Sequence, residues 1–199
     1  MTLAFWPAAA QAHLAARKAI APRRLLWLKI KTLAGAPFSV GFWTGDQDDT
    51  FVVEGESRTY YGAQGGLALP EARSKVGTGI RSSEAKLMVT PEAEAVLRGY
   101  NTRFGTAEVH TALYDPEGEV LLGIRRDLRV SIDGSPISTP AIDGGDASMG
   151  LRLVSSARRG TLTRNGKKSD QSQQERHPGD RFRRFGDLGD TASDAWGKR

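Results

Sequence analysis

Apolar and polar residues alternate along much of the first 156 positions, the period-two spacing of strands that bury one face. Within Arg24–Thr32 (RLLWLKIKT), Leu26, Leu28 and Ile30 fall on one side and Trp27, Lys29 and Lys31 on the other, which predicts a half-buried strand. Phe38–Trp43 repeats the pattern through Phe38, Val40 and Phe42. Thr50–Val53 and Arg58–Tyr61 flank Gly55 and predict a hairpin. Gly62–Gly79 holds five glycines and one proline, so it predicts a loop. Strand character returns over Glu84–Val89 and again over Ala107–Tyr114, where Val109, Thr111 and Leu113 alternate with His110, Ala112 and Tyr114. Asp115-Pro116-Glu117-Gly118 predicts a turn, because proline presets the first corner and glycine accepts a positive φ. Val120–Ile132 predicts one long strand or two short ones, Asp133-Gly134 a hairpin corner, and Ser148–Ser156 a last strand through Met149, Leu151 and Leu153.

Two stretches break the alternation. Ala8–Ile20 is alanine-rich, with Pro7 placed to start a helix and Pro22 to stop it. Thr90 is a good N-cap, Pro91 suits the first helical position, and Glu92 and Glu94 favour the positive helix end. That second helix offers Ala95, Val96 and Tyr100 as a buried face and ends at Gly99. Short strands at this spacing, joined by turns and accompanied by two short helices, predict a mainly β fold. The expected organisation is an N-terminal helix (1–23), a β-barrel or sandwich-like domain (24–156) and an extended C-terminal arm (157–199).

Charge sharpens that boundary. Residues 1–156 carry 17 Lys+Arg against 17 Asp+Glu, whereas residues 157–199 carry 11 against 6, so the whole net charge of +5 lies in the arm. The body is neutral and the tail basic, suited to phosphate or to an acidic protein neighbour. The arm has few aliphatic residues and cannot by itself offset its ordering entropy. Phe182, Phe185, Leu188 and Trp196 are the exceptions. They read either as anchors for a groove on another surface or as residues that fold back on the chain's own domain. The 199 residues contain no cysteine, which excludes disulfides, thiolate zinc sites, iron–sulfur clusters and cysteine nucleophiles. No apolar run approaches the roughly 18 residues of a membrane span. In the N-terminal stretch the basic residues Arg17, Lys18, Arg23 and Arg24 come last, the reverse of a secretion signal, so a protein kept in the cytoplasm until assembly is expected.

Motifs for chemistry are sparse. His13, His110 and His177 stand apart, none at metal-ligand spacing, and His110 reads as a packed or half-exposed strand residue. Asp46, Asp48 and Asp49 (TGDQDDT) match only part of a calcium loop and read as a solvated turn, with weak divalent-ion binding as the alternative. Gly160 and Gly166 are separated by five residues, and Lys168 stands where a phosphate loop needs a hydroxyl. Gly77-Thr78-Gly79 lacks the third glycine of a dinucleotide loop, and there is no GxSxG elbow. No catalytic, cofactor-binding or metal residue is assigned, and no cofactor is expected.

Three segments, taken in order, carry a resemblance. These are TFVVEGESRTYYGAQGG, then EAKLMVTPEAEAVLRGYNTRFGTAEVHTALYDPEGEVLL, then the tail LTRNGKKSDQSQQERHPGDRFRRFGDLGDTASDAWGKR with its Gly179-Asp180-x-Phe182 and Trp196-Gly197. Over residues 25–199 the chain resembles the first domain of the siphophage tail-tip or baseplate hub family, which includes lambda-type tail-tip proteins and gene transfer agent hubs. The chain departs from that family in two places. It has no cysteine, so the cysteine-rich part that can hold an iron–sulfur cluster is expected to be absent, and Tyr60-Tyr61-Gly62 stands where some relatives carry Trp-x-Gly. The resemblance implies a β-barrel-like hub domain in a homotrimer, located in the virion at the tail tip. Its implied partners are the distal tail protein, the tape-measure protein and tip or fibre proteins, with DNA passing through the lumen and no membrane. It singles out Asp180, Phe182, Phe185 and Trp196 as partner-contact residues. The expected function is structural and non-enzymatic. The other readings are a distal tail protein or tail connector, a nucleic-acid-binding accessory protein using the basic arm, and a small hydrolase whose site is invisible in sequence.

Overall fold

The alternating segment after Pro22 forms β1 (Ala21–Thr32), which pairs antiparallel with β2 (Pro37–Trp43) in the register Leu26↔Phe42, Leu28↔Val40 and Ile30↔Phe38. The reversal between them uses Gly35 at φ 89°, and the Thr32 hydroxyl accepts from the Ala36 N–H at 3.0 Å. In this computed structural model, residues 6–63, 66–72, 79–88, 94–95, 98–117, 119–138, 148–161 and 169–184 are described. The chain divides into two units, Met1–Arg159 and Gly160–Arg199.

The first unit is mainly β. β3 (Asp49–Val53) and β4 (Glu56–Gly62) form the predicted hairpin, and its two corner residues, Glu54 (φ 52°) and Gly55 (φ 84°), both adopt positive φ. That is the turn geometry whose twist matches the paired strands. β5 (Leu67–Ala68), β6 (Ser82–Met88), β7 (Tyr100–Asp115), β8 (Val120–Gly134), β9 (Ile137–Ser138) and β10 (Ser148–Val154) complete one sheet. Its order is β3-β4-β2-β1-β7-β8-β10-β6-β5, with β9 on β10. All pairings are antiparallel except β2–β4.

The sheet curls over both faces of its central strands. On one face Leu26, Leu28, Ile30, Val40, Phe42 and Val109 pack with Leu67, Leu87, Ile132, Met149, Leu151 and Leu153 from the β5–β6–β10 end. On the opposite face the β3–β4 hairpin brings Phe51, Val53 and Tyr60 onto Leu25 and Ala112. Register shifts at Lys29/Lys31, Val109/His110 and Leu113/Tyr114 sit on these central strands, where bulges sharpen the ordinary right-handed twist into a fold-over.

This two-sided covering corrects the half-buried expectation for the first strand, since Leu25 and Leu26 are both fully buried. It also explains why Ala107–Leu113 of β7 is buried at every position instead of alternating. Gly62–Gly79 is not wholly loop, for Leu67 is buried and pairs with Leu87. Asp133-Gly134 ends β8 and is not a hairpin corner; Gly134 pairs with Arg152, and its φ is not positive.

Gly41 illustrates how tightly the hairpin closes. A Cβ there would lie 2.5 Å from Tyr60 Cδ1 and 2.7 Å from Trp27 Cε3. Gly41→Ala is therefore expected to lower unfolding free energy by about 1–3 kcal/mol in urea titration. Gly79→Ala, where a Cβ meets nothing within 4 Å, should leave it unchanged.

The N-terminal helix spans Ala8–Ala15 behind Pro7, shorter than Ala8–Ile20. The chain leaves it through Arg17 at φ 53°, and the His13 ring Nε2 lies 2.8 Å from the Ala19 carbonyl oxygen. Pro22 then stands inside β1, opposite Leu113. Glu94, Ala95, Arg98 and Gly99 are helical, with an Arg98–Glu94 ion pair at 3.0 Å. Ala95 is exposed and Tyr100 belongs to β7, stacked on Phe38 at 4.2 Å, so the predicted buried face does not form from these two. Thr90, Pro91, Glu92 and Val96 lie outside the described residues.

In the second unit, Asp170–Arg176 is helical where composition predicted extended chain. Ser169 caps it, its hydroxyl accepting from the Ser172 N–H at 3.3 Å. A polar segment forms a short helix without a core when its end groups are satisfied locally, and no described residue of 169–184 is buried.

Candidate functional site

Glu108 interrupts the apolar run of β7 on the face that the hairpin covers. Its side chain is 2% exposed, and Arg58 from β4, 3% exposed, donates from Nη1 to Glu108 Oε2 at 3.0 Å. Register places Glu108 between Trp27 and Arg129 on the neighbouring strands. Lys29 and Arg129 approach its other oxygen at 3.9 and 3.6 Å. The Arg58 guanidinium lies 5.3 Å from the Trp27 ring centroid and donates from Nε and Nη2 to Glu56 at 3.1 and 2.8 Å. That hydrogen bond holds the Glu56 carboxyl below its usual range. Burial disfavours the Arg58 charge, yet its bonds to Glu56 and Glu108 raise its pKa overall. The Arg58–Glu108 pair links the hairpin to β7 through two charges shielded from water, where a lost partner is expensive.

Two residues further along the same face, His110 is 0% exposed, and neither ring nitrogen has a hydrogen-bond partner. Burial is the main cause that lowers its pKa to about 4, so the ring is neutral at physiological pH. On β4 Tyr60 is fully buried, and burial pushes its phenol up to about 12. His110 is among the residues that line a cavity of about 330 Å³, with Pro7 and others from the hairpin tip and β8.

The acidic segment singled out in the sequence forms a turn. Asp48 accepts from the Gly62 N–H at 3.0 Å, Asp49 from the Thr50 N–H at 2.7 Å, and Trp43 Nε1 donates to the Gln47 carbonyl at 2.8 Å. Folding adds what the segment alone does not show. Asp46, Asp48 and Asp49 line an open basin with Asp115 and Glu119 from the β7–β8 turn, against a single cation, Arg23. Burial raises the Tyr114 phenol at its wall, and Asp49 adds to the effect. Among the described residues, no group of three or more His, Asp or Glu is arranged to hold a metal ion. No helix among them is long and apolar enough to cross a membrane.

Of the four predicted partner-contact residues, Asp180 and Phe182 are described, whereas Phe185 and Trp196 lie outside the described residues. Asp180 accepts from Gln173 Nε2 at 2.6 Å and from the Phe182 N–H at 3.0 Å, bonds that lower its pKa and tie the turn at Gly179 to the helix. Phe182 is 88% exposed. In the first unit, Val52 on the outermost strand β3 is 71% exposed, Leu33 78% and Phe104 59%.

Sequence reasoning did not find the Arg58–Glu108 pair or the unpartnered state of His110. The one available signal was a glutamate within AEVHTAL, a polar residue in a strand too apolar to be an edge. No protein-family model matches the chain, and a search of curated proteins finds no match.

Proposed function

We propose that this chain is a structural, non-catalytic subunit of the hub at the tail tip of a long-tailed phage, assembled as a homotrimer. In that setting it joins the distal tail ring and the tape-measure protein to tip or fibre proteins. One observation carries the reading: the second unit presents Phe182 to solvent at 88% exposure, and none of its residues 169–184 is buried. A segment of that kind gains its stability by docking on a neighbour, with exposed aromatics as anchors. The open strand edge at β3, with Val52 exposed, also suits a ring in which adjoining chains cover sheet edges. The three segments that resemble tail-tip hubs support the same reading.

The test is an electron-microscopy reconstruction of the particle, with the chain expected at the tail tip in three copies. A position in the capsid, or absence from the particle, overturns the proposal. In solution, light scattering should give three times the 21.5 kDa chain mass. Phe182→Ser should weaken that association about tenfold or more, since one buried aromatic anchor contributes at least 1.4 kcal/mol.

A further inference from the structure

We propose that the cavity above His110 binds a small neutral ligand with an apolar body and one hydroxyl group. Pro7, Val53, Leu121 and Ile124 give it apolar walls. Its charged side chains, Glu54 and Arg126, neutralise each other through contacts of 2.7 and 3.0 Å, so the site offers no free charge to an ion. His110 is among the lining residues, and both its ring nitrogens are buried and unpaired. A neutral imidazole carries one donor and one acceptor, and a native protein rarely leaves such groups unsatisfied without a reason. A hydroxyl both donates and accepts, so it meets either nitrogen whichever tautomer is present. The volume of about 330 Å³ falls at the small end of ligand pockets.

Access to the ring requires a lining side chain to move. The ring itself has no solvent-exposed surface, while Leu121 at the rim is 38% exposed and Val52 71%. The opening that binding requires falls at Leu121, an exposed apolar residue of the lining. The site lies wholly within the first unit, and this inference is independent of where the chain assembles.

The experiment is a titration of the full-length, isotopically labelled protein with 4-methylphenol, followed by nuclear magnetic resonance of the histidine rings. Toluene serves as the matched compound without a hydroxyl. His110 signals should shift saturably while those of His13 and His177 stay in place. 4-Methylphenol should bind about tenfold tighter than toluene, the worth of one buried hydrogen bond. His110→Leu should abolish that preference. Leu121→Trp, a change at an exposed position, should close the mouth and weaken binding of both compounds. Circular dichroism establishes that both variants are folded. No saturable shift at millimolar 4-methylphenol, equal affinity for the two compounds, or an undiminished preference in folded His110→Leu overturns the proposal.

Discussion

Replacing Arg58 with methionine is expected to lower the unfolding free energy by about 3–5 kcal/mol, the range for breaking a buried ion pair on one side. Glu108, 2% exposed, would lose its hydrogen-bonded cation and retain Lys29 and Arg129 at 3.9 and 3.6 Å. Neither distance is a hydrogen bond, and both cations are substantially exposed, so they compensate weakly. Arg58→Lys should recover little, because an ammonium cannot reach Glu56 and Glu108 together as the guanidinium fork does. The double replacement Arg58→Met with Glu108→Leu should recover most of the loss, since it removes both desolvated charges and leaves Lys29 and Arg129 to water. Urea titration of the three variants checks this. A loss below about 1 kcal/mol in Arg58→Met would show the pair to be no stronger than a surface ion pair.

Acid should destabilise this protein through His110 by about 3 kcal/mol, from a pKa lowered from near 6.5 to about 4. The sign follows from proton uptake. As pH falls through 6.5 the unfolded chain takes up a proton that the folded chain refuses, so stability declines from pH 6.5 downward and the loss is complete near pH 4. Burial is the dominant cause. Glu108 and Glu54 favour the charged ring, while Arg58 and Arg126 oppose it. His110→Leu removes the titrating group and both unpaired nitrogens, so it should flatten the pH dependence over this window. At pH 5 the variant should be more stable than the parent protein. Comparing the two chains at pH 7, 5.5 and 4.5 cancels the carboxylates they share. An identical pH slope in the variant would mean that the ring does not resist protonation.

Several features were legible in the sequence because they depend on neighbours along the chain. The Glu54-Gly55 corner is one, set by a glycine between two strand-forming runs. The turn after β7 is another, where the Glu117 N–H donates to the Asp115 carboxylate at 3.1 Å. The contribution of Pro7 to the helix start is a third. Features that depend on distant contacts were misread. Leu67 looked like part of a glycine-rich loop because its strand is two residues long and owes its existence to β6. Spacing from Val96 assigns Tyr100 to the buried face of the preceding helix; it is instead the first residue of β7, stacked on Phe38 of β2.

By itself the sequence determined the fold class, the order of the main strands and the concentration of charge in the last 43 residues, from 157 to 199. Those follow from period, propensity and composition, which are local quantities. Only the tertiary structure decided which strands are covered on both faces, that Arg58 meets Glu108 across 50 residues of chain, and that His110 lines a cavity with its ring nitrogens buried and unpaired. The physical reason is that alternation tells which side of a strand is apolar but carries no information about what closes over the other side. Here the sheet folds its own two ends over opposite faces of β1 and β7.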